Sequence, residues 1–187
     1  MGKDIRYALT IGPHVDFIPA NFHLISDQAD TVVFENGNQF VVEEGAFGRF
    51  SGPLAKLSGS CYVDESGVLY SYQADTKTAE VVFVQKGIQN LFLPEKIEPE
   101  EGLVCQVVGI GQDAFFMAEG TERVVFEDLA QIQYVSAYGF ANCPTLSFVE
   151  ECNVLEKVEE ETLIPEKEVS EEPEFKFDKW YFLLKRI

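Results

Sequence analysis

The chain has 187 residues, a formal net charge of −18 and 46% hydrophobic residues, so it can build a packed core in one domain or in one domain with an appendage. The strong negative charge excludes nucleic-acid binding from the expected functions, because phosphates are neutralised by clustered Lys and Arg. The sequence has no apolar run of about 18 residues, so we expect no membrane insertion.

The first residues carry no targeting signal that can be read from the sequence. Residues 1–6 lack the apolar core of a secretory signal, and Arg6 stands where the N-myristoylation pattern requires Ser or Thr. Two interpretations stay open. The protein is cytoplasmic, or it is exported to the cell surface and its leader is missing from this sequence.

Residues 1–57 contain the first part of an internal repeat. Phe22 and Phe47 lie 25 residues apart, and an apolar residue, Phe17 or Val42, stands five positions before each of them. A period in the twenties is typical of leucine-rich repeats. We therefore predict N-terminal repeats over residues 1–57.

Residues 58–90 have the pattern of a β insertion. The strand-like segments Cys61–Val63 and Val68–Tyr72 flank the turn signal Asp64–Gly67, and the β-branched segment Ala79–Val84 follows. Two arrangements stay open: a β insertion between two short arrays of repeats, or one long repeat with an elaborated return loop.

The repeat spacing returns in residues 91–165, which we predict to be C-terminal repeats. Phe115 and Phe140 are again 25 residues apart, with Ile110 and Val135 five positions before them. In stacked units, each Phe is expected to pack on its equivalent in the next unit.

Residues 166–187 are predicted to be an acidic linker followed by a capping strand. Leu163, just before them, would occupy the Phe position of a degraded last repeat. The aromatic segment from Phe175 to Leu184 would cover the open edge of the last repeat, since solenoids need capped ends. The alternative is an aromatic docking peptide.

Three segments resemble the BspA-like leucine-rich repeats of bacterial surface proteins. Ile110–Phe115 resembles the IGxxAF motif of that family, Gly139–Leu146 its AFxNCxxL turn, and Leu91–Pro94 its LxIP strand. The resemblance is clear over about residues 91–150 and looser over 9–54. It implies a right-handed curved repeat scaffold, usually exported, that mediates adhesion or protein binding and has no catalytic residues.

The expected fold class is therefore an α/β leucine-rich-repeat solenoid, right-handed and β-rich with short helical turns, plus a β-hairpin insertion. We expect the repeats, the insertion and the capping strand to form one continuous structural domain.

Patterns that would indicate a metal site are weak. The four cysteines, Cys61, Cys105, Cys143 and Cys152, form no C-x-x-C pair, so we expect buried free thiols rather than a zinc site. The acidic segment Glu159–Glu161 lacks a calcium-binding loop motif.

Patterns that would indicate catalysis or a cofactor are equally weak. Gly109–Ala114 fits the dinucleotide pattern G-x-G-x-x-A, but the repeat explains the same residues and no second βαβ unit follows. His14 and His23 accompany no nucleophile motif. We expect no catalytic residues, no cofactor and no metal.

The candidate binding surface is the outward row of the predicted strands. Because side chains alternate along a strand, the residues between inward apolar positions point outward. These predicted protein-binding residues are Thr10, Val33, Phe92, Val125 and Ser147. A row this apolar, rimmed by Glu35, Arg123 and Glu127, is typical of an interaction site.

The predicted function is that of a non-catalytic protein-recognition module, which binds a protein partner, with a host extracellular protein as one candidate. The resemblance favours adhesion or protein binding at a bacterial cell surface. The alternative is a structural or spacer module of a larger exported protein, and an enzyme with an unrecognised site comes third.

Overall fold

The structure is a computed structural model and describes residues 7–26, 28–48, 50, 52–136, 138–140, 143 and 145–151. Strands dominate these ranges. Their bounds are β1 (Ala8–Ile11), β2 (Phe17–Ile18), β3 (Thr31–Phe34), β4 (Asn38–Val42), β5 (Gly59–Val63), β6 (Val68–Gln73), β7 (Thr78–Val84), β8 (Asn90–Leu93), β9 (Lys96–Glu100), β10 (Leu103–Ile110), β11 (Arg123–Phe126), β12 (Tyr134–Val135) and β13 (Phe148–Glu151). The helical segments are α1 (His23–Ser26) and 3-10 helices at Ala20–Phe22, Gly52–Lys56 and Leu129–Gln131.

Eight of the described strands form a curled mixed sheet, a half-barrel, in the order β12-β10-β7-β6-β5-β4-β2, with β9 also paired to β10. The centre of this sheet, from β4 to β7, is an antiparallel meander. Both ends are parallel, where β2 pairs with β4 and β7 with β10. Short antiparallel connections and longer parallel crossovers therefore occur in one sheet.

The first hairpin of the meander is closed by a side chain as well as by backbone. The Asp64 carboxylate accepts the N–H groups of Ser66 (2.8 Å) and Val68 (2.9 Å) and the Tyr70 hydroxyl (3.0 Å). Gly67 supplies the positive φ of 87° that this turn requires. The turn that the sequence predicted therefore fixes which residues of β5 and β6 are paired.

Two smaller parallel sheets complete the described fold. One pairs β1 with β3, and the other has the order β13-β11-β8. The Gln85 side chain lies on the backbone of β3: its amide donates to the Phe34 carbonyl and accepts the Phe34 N–H, both at 2.9 Å. Gln85 therefore takes the position that a neighbouring strand would take beside Phe34.

The buried apolar residues fall into two clusters. The N-terminal core contains Ile11, Ile18, Val32, Phe34, Phe40, Val42, Ala46, Phe47, Leu54, Leu57, Cys61, Val63, Leu69 and Phe83. The C-terminal core contains Val68, Tyr70, Tyr72, Ala79, Val81, Val84, Leu91, Leu93, Ile97, Cys105, Val107, Ile110, Ala114, Phe115, Ala118, Val124, Phe126, Phe140 and Cys143.

Strands β6 and β7 contribute to both cores. The cross-strand pair Leu69 and Phe83 lies in the N-terminal core, whereas the neighbouring pair Val68 and Val84 lies in the C-terminal core. Because successive side chains of a strand point to opposite faces, this hairpin is buried on both sides.

The predicted fold class, an α/β leucine-rich-repeat solenoid, is wrong. The fold is β-rich, and α1, with four residues, is the only α-helix within the described ranges. From β4 to β7 the chain reverses at each connection, so these strands do not advance in one direction as repeat units would. The described residues show no solenoid repeat, and the strands assigned to repeats are distributed over three sheets.

The phenylalanines that suggested the repeat do meet in space, as two separate pairs. The ring centroids of Phe22 and Phe47 are 5.8 Å apart, and those of Phe115 and Phe140 are 4.7 Å apart. Phe47 belongs to the N-terminal core, and the second pair belongs to the C-terminal core. The equal spacing in the sequence therefore corresponds to two separate ring pairs, and the four rings do not form a continuous stack.

The predicted β insertion, residues 58–90, contains the strands β5, β6 and β7, and these are the centre of the eight-stranded sheet. The predicted linker and capping strand at 166–187, the degraded repeat at Leu163 and the thiol of Cys152 lie outside the described residues.

Candidate protein-binding surface

Four of the five predicted outward residues lie on strands whose other face is mainly buried. In β8 the burial alternates, with Leu91 and Leu93 buried and Phe92 44% exposed. In β3, Val32 and Phe34 are buried and Val33 is 42% exposed. Thr10 is exposed and Val125 is half-buried, so the inward and outward parity of these strands is the predicted one.

The structure divides the five predicted residues between two sheets. Thr10 pairs directly with Val33 in the β1–β3 sheet. Phe92 pairs directly with Val125 in the β8–β11 ladder. Ser147 is exposed and lies one residue before β13, where its N–H donates to the Glu122 carbonyl (2.9 Å). The residues therefore form two pairs and a flanking serine, and no single row.

The larger apolar pair lies on what we call the Phe92 face, the outward side of β8 and β11 formed by Asn90, Phe92, Arg123 and Val125. Directly paired residues of neighbouring strands lie about 5 Å apart on the same side of a sheet. The Phe92 ring and the Val125 side chain therefore form one apolar patch, with the polar residues Asn90 and Arg123 at its start.

Acidic groups border this face where β8 and β11 end. The Glu127 carboxylate accepts the backbone N–H of Glu95 (2.8 Å), and the Glu95 carboxylate pairs with Lys96 (2.5 Å). The hydrogen bond from Lys96 lowers the pKa of Glu95. Glu122 accepts a hydrogen bond from the Gln89 side chain (3.1 Å) before β11 begins. The border of the Phe92 face thus contains three carboxylates, Glu95, Glu122 and Glu127, beside the cations Lys96 and Arg123.

A second exposed apolar pair was missed by sequence reasoning. Phe17 on β2 and Val41 on β4 are directly paired, and they are 51% and 42% exposed. In the sequence, Phe17 was noted only as the apolar residue five positions before Phe22, whereas in the structure its partner Val41 stands between the buried residues Phe40 and Val42. The sequence signal for this pair was the side-chain alternation of β4, which places Val41 outward when Phe40 and Val42 point inward.

The two histidines considered for catalysis, His14 and His23, lie in different local structures, a turn and α1. His23 makes a 2.8 Å hydrogen bond to the Ala20 carbonyl through Nδ1, and His14 is exposed in a turn. Gly109 and Ile110 end β10, and turns rather than a helix follow them, so the local structure differs from that of a dinucleotide site. Among the described residues, no group of three or more His, Cys, Asp or Glu side chains could hold a metal ion.

The three described cysteines are free and buried. Burial raises the pKa of the Cys61 thiol to about 12 and raises the pKa values of Cys105 and Cys143. The Cys143 thiol donates to the Ala118 carbonyl (3.3 Å), so it fills an interior position between turns. Thiols with raised pKa values are poor nucleophiles, which suits a structural role.

Comparisons with known proteins add no family assignment. No protein-family model matches the chain, and neither the curated proteins nor the solved structures contain a significant match. Across the part of the chain that the structure describes, no helix has the length and apolarity needed to span a bilayer.

Proposed function

We propose that this protein is a non-catalytic protein-recognition module that binds a protein partner through the Phe92 face. The observation that carries the proposal is the directly paired Phe92 and Val125 on the outward side of a sheet, with Phe92 44% exposed. Aromatic residues are enriched at the centres of interfaces, and a polar or charged rim commonly surrounds them.

The charge distribution indicates what the partner surface would look like. Glu95, Glu122 and Glu127 flank the Phe92 face, and the whole chain has a formal charge of −18. A complementary partner would offer an apolar contact surrounded by Lys and Arg. Such complementarity accelerates association and makes it sensitive to salt.

The resemblance to BspA-like surface proteins supports a finer version of this proposal, in which the partner is a host extracellular protein and the module acts in adhesion at a bacterial cell surface. Because the fold is not the solenoid of that family, the fold does not support this finer version of the proposal. The finer version depends on the quoted motifs alone. The alternative, a structural or spacer module, requires no partner on the Phe92 face.

The test is binding of the full chain to a panel of purified extracellular-matrix proteins, measured by biolayer interferometry at low and at physiological salt. We expect the double variant Phe92→Asp with Val125→Asp to weaken binding by at least about 10-fold, which corresponds to about 1.4 kcal/mol. The matched control is Phe17→Asp with Val41→Asp, which changes the other exposed apolar pair.

If both double variants weaken binding equally, the Phe92 face is not the binding surface, because the loss of affinity would then depend on the added negative charge and not on its position. Failure of the unmodified chain to bind any member of the panel would favour the spacer function.

A further inference from the structure

A cleft of about 230 Å³, lined by both polar and apolar residues, lies beside β6 and β7. Its walls are the 3-10 helix Gly52–Lys56, the strand residues Ser71 and Glu80, and the turn Gly111–Asp113 that follows β10. A water molecule occupies about 30 Å³ of liquid, so the cleft has room for about eight non-hydrogen atoms. This is smaller than a drug-sized site.

Glu80 is held in a defined position at this cleft. The Tyr134 hydroxyl donates to Glu80 Oε2 at 2.8 Å. Burial, followed by the hydrogen bond to Glu80, raises the pKa of Tyr134, so the phenol stays a neutral donor. The orientation of the Glu80 carboxylate is therefore fixed by a side chain of β12, which lies two strands away from β7 in the sheet.

Two glycines provide the space for this arrangement. A Cβ atom on Gly111 would lie 2.4 Å from Glu80 Oε1, and a Cβ atom on Gly109 would lie 2.2 Å from the Tyr134 ring. Contacts this short do not occur, so any larger residue at either position would displace Glu80 or its partner. The site depends on the small size of these glycines.

The cleft carries more negative than positive charge. Asp113, held at a positive φ of 57°, provides a second carboxylate in the lining. Among the described residues of the lining, Lys56 is the one basic residue, and it donates through Nζ to Gln112 Oε1 (3.2 Å). The described part of the lining therefore contains one more negative than positive charge.

We propose that this cleft binds a small organic cation, a primary ammonium compound of up to about eight non-hydrogen atoms. An ammonium group has three donors and no acceptor, which matches the carboxylates of Glu80 and Asp113 and the Ser71 hydroxyl. The two carboxylates repel an anion of the same size, and a neutral molecule leaves their charge uncompensated. The proposal is independent of the Phe92 face.

The experiment is a titration of the ¹⁵N-labelled full chain, followed by amide chemical shifts, with three ligands of equal size at constant ionic strength: n-butylammonium, 1-butanol and butyrate. We expect saturable shifts at the amides of Glu80, Gly111 and Asp113 with butylammonium alone, with a Kd on the order of 1 mM for so small a ligand.

Variants separate charge from position. We expect Glu80→Gln and Asp113→Asn each to raise the Kd at least about 10-fold, the effect of losing one charge-assisted contact. Gly111→Ala keeps both charges and is expected to weaken binding by displacing Glu80. Glu44→Gln, an exposed acidic residue outside the cleft lining, is the matched control and should leave the Kd unchanged.

The proposal is overturned if 1-butanol or butyrate produces the same shifts, if butylammonium gives no saturable shift at these amides up to about ten times the expected Kd, or if Glu80→Gln binds as tightly as the unmodified chain. The last experiment is a titration with Ca²⁺. If Ca²⁺ displaces butylammonium and causes saturable shifts of the same amides, the cleft is an inorganic cation site and the proposal is wrong. The thermal unfolding midpoint of each variant, measured beside the titration, shows that a lost signal reflects the site and not unfolding.

Discussion

The two cores contain the same sequence feature and pack it differently. In the N-terminal core, Phe47 is met edge-on by the half-buried Phe22, at an interplanar angle of 79°. In the C-terminal core, Phe115 and Phe140 are both buried and their rings are tilted by 40° with a shorter separation. In each core, two rings that are 25 residues apart in the sequence are therefore in contact. The spacing does not determine how deeply each ring is buried.

The cores also differ in how their aromatic rings are arranged. In the N-terminal core, Phe34 lies at the centre of an aromatic group, stacked on Phe40 at 5.5 Å and edge-on to Phe47 and Phe83. The C-terminal core contains five aromatic residues, Tyr70, Tyr72, Phe115, Phe126 and Phe140, among a larger number of aliphatic ones. The β6–β7 hairpin joins the two, since it buries residues on both of its faces.

The largest expected effect contrasts the two Phe pairs. Phe140→Ala should lower the free energy of unfolding by about 3–5 kcal/mol, because a buried ring is replaced by a cavity. Phe22→Ala should cost clearly less, since that ring is only half-buried. Urea unfolding followed by fluorescence or circular dichroism measures both. Equal losses for the two variants would mean that the cores do not differ as the burial indicates.

The second prediction concerns Gln85, whose amide pairs with the backbone of β3. Gln85→Ala leaves the Phe34 N–H and carbonyl without this partner, and we expect a loss of about 1–3 kcal/mol in the free energy of unfolding. Gln85→Glu is the informative companion, because a carboxylate can still accept the N–H but cannot donate to the carbonyl. A fully stable Gln85→Ala variant would show that the contact contributes nothing to β3.

The third prediction concerns the pH dependence that the buried Cys61 thiol gives to the N-terminal core. The Cys61 thiol has an ordinary pKa of 9.0, and burial in the N-terminal core raises it to about 12. Between these values the folded state alone keeps the proton, so this contribution to stability is complete below pH 9 and falls as the pH rises toward 12. The expected loss is on the order of 1 kcal/mol per pH unit.

Urea unfolding of the unmodified chain and of Cys61→Ala at several alkaline pH values measures this effect. Alanine has no thiol to ionise, so the variant should lose stability less steeply above pH 9. Identical slopes would place the alkaline sensitivity in other groups, such as Tyr70, whose pKa burial also raises.

The smallest expected effect is on the exposed surface. Phe92→Asp with Val125→Asp should change the free energy of unfolding by less than about 1 kcal/mol, because Phe92 is partly exposed and neither side chain belongs to a core. Thermal unfolding beside the binding measurement checks this. A loss comparable to that of Phe140→Ala would show that the pair supports the fold rather than a partner.

Local patterns in the sequence predicted local features well. The strand alternation around Val33 and Phe92 and the turn at Asp64–Gly67 are found in the structure. These features depend on neighbouring residues, through side-chain alternation and turn chemistry, so a short segment contains the information they need.

The candidate binding site was predicted only in part. Pairing of Phe92 with Val125 could be anticipated from two similar strands, but the separation of Thr10 and Val33 into another sheet could not. The exposed pair Phe17 and Val41 was missed because a repeat was assumed where a two-residue edge strand exists.

The sequence by itself predicted several strands, β5 to β8 among them, the contact within each phenylalanine pair and the burial of the described thiols, since each follows from local pattern and apolar character. Only the tertiary structure decided that the strands form a curled mixed sheet with two small parallel sheets. It alone placed the Gln85 amide on Phe34, 51 residues away, and Tyr134 on Glu80, 54 residues away. Strand partners and directions, and polar contacts between distant residues, depend on how the whole chain buries its apolar surface, and no short segment records that outcome.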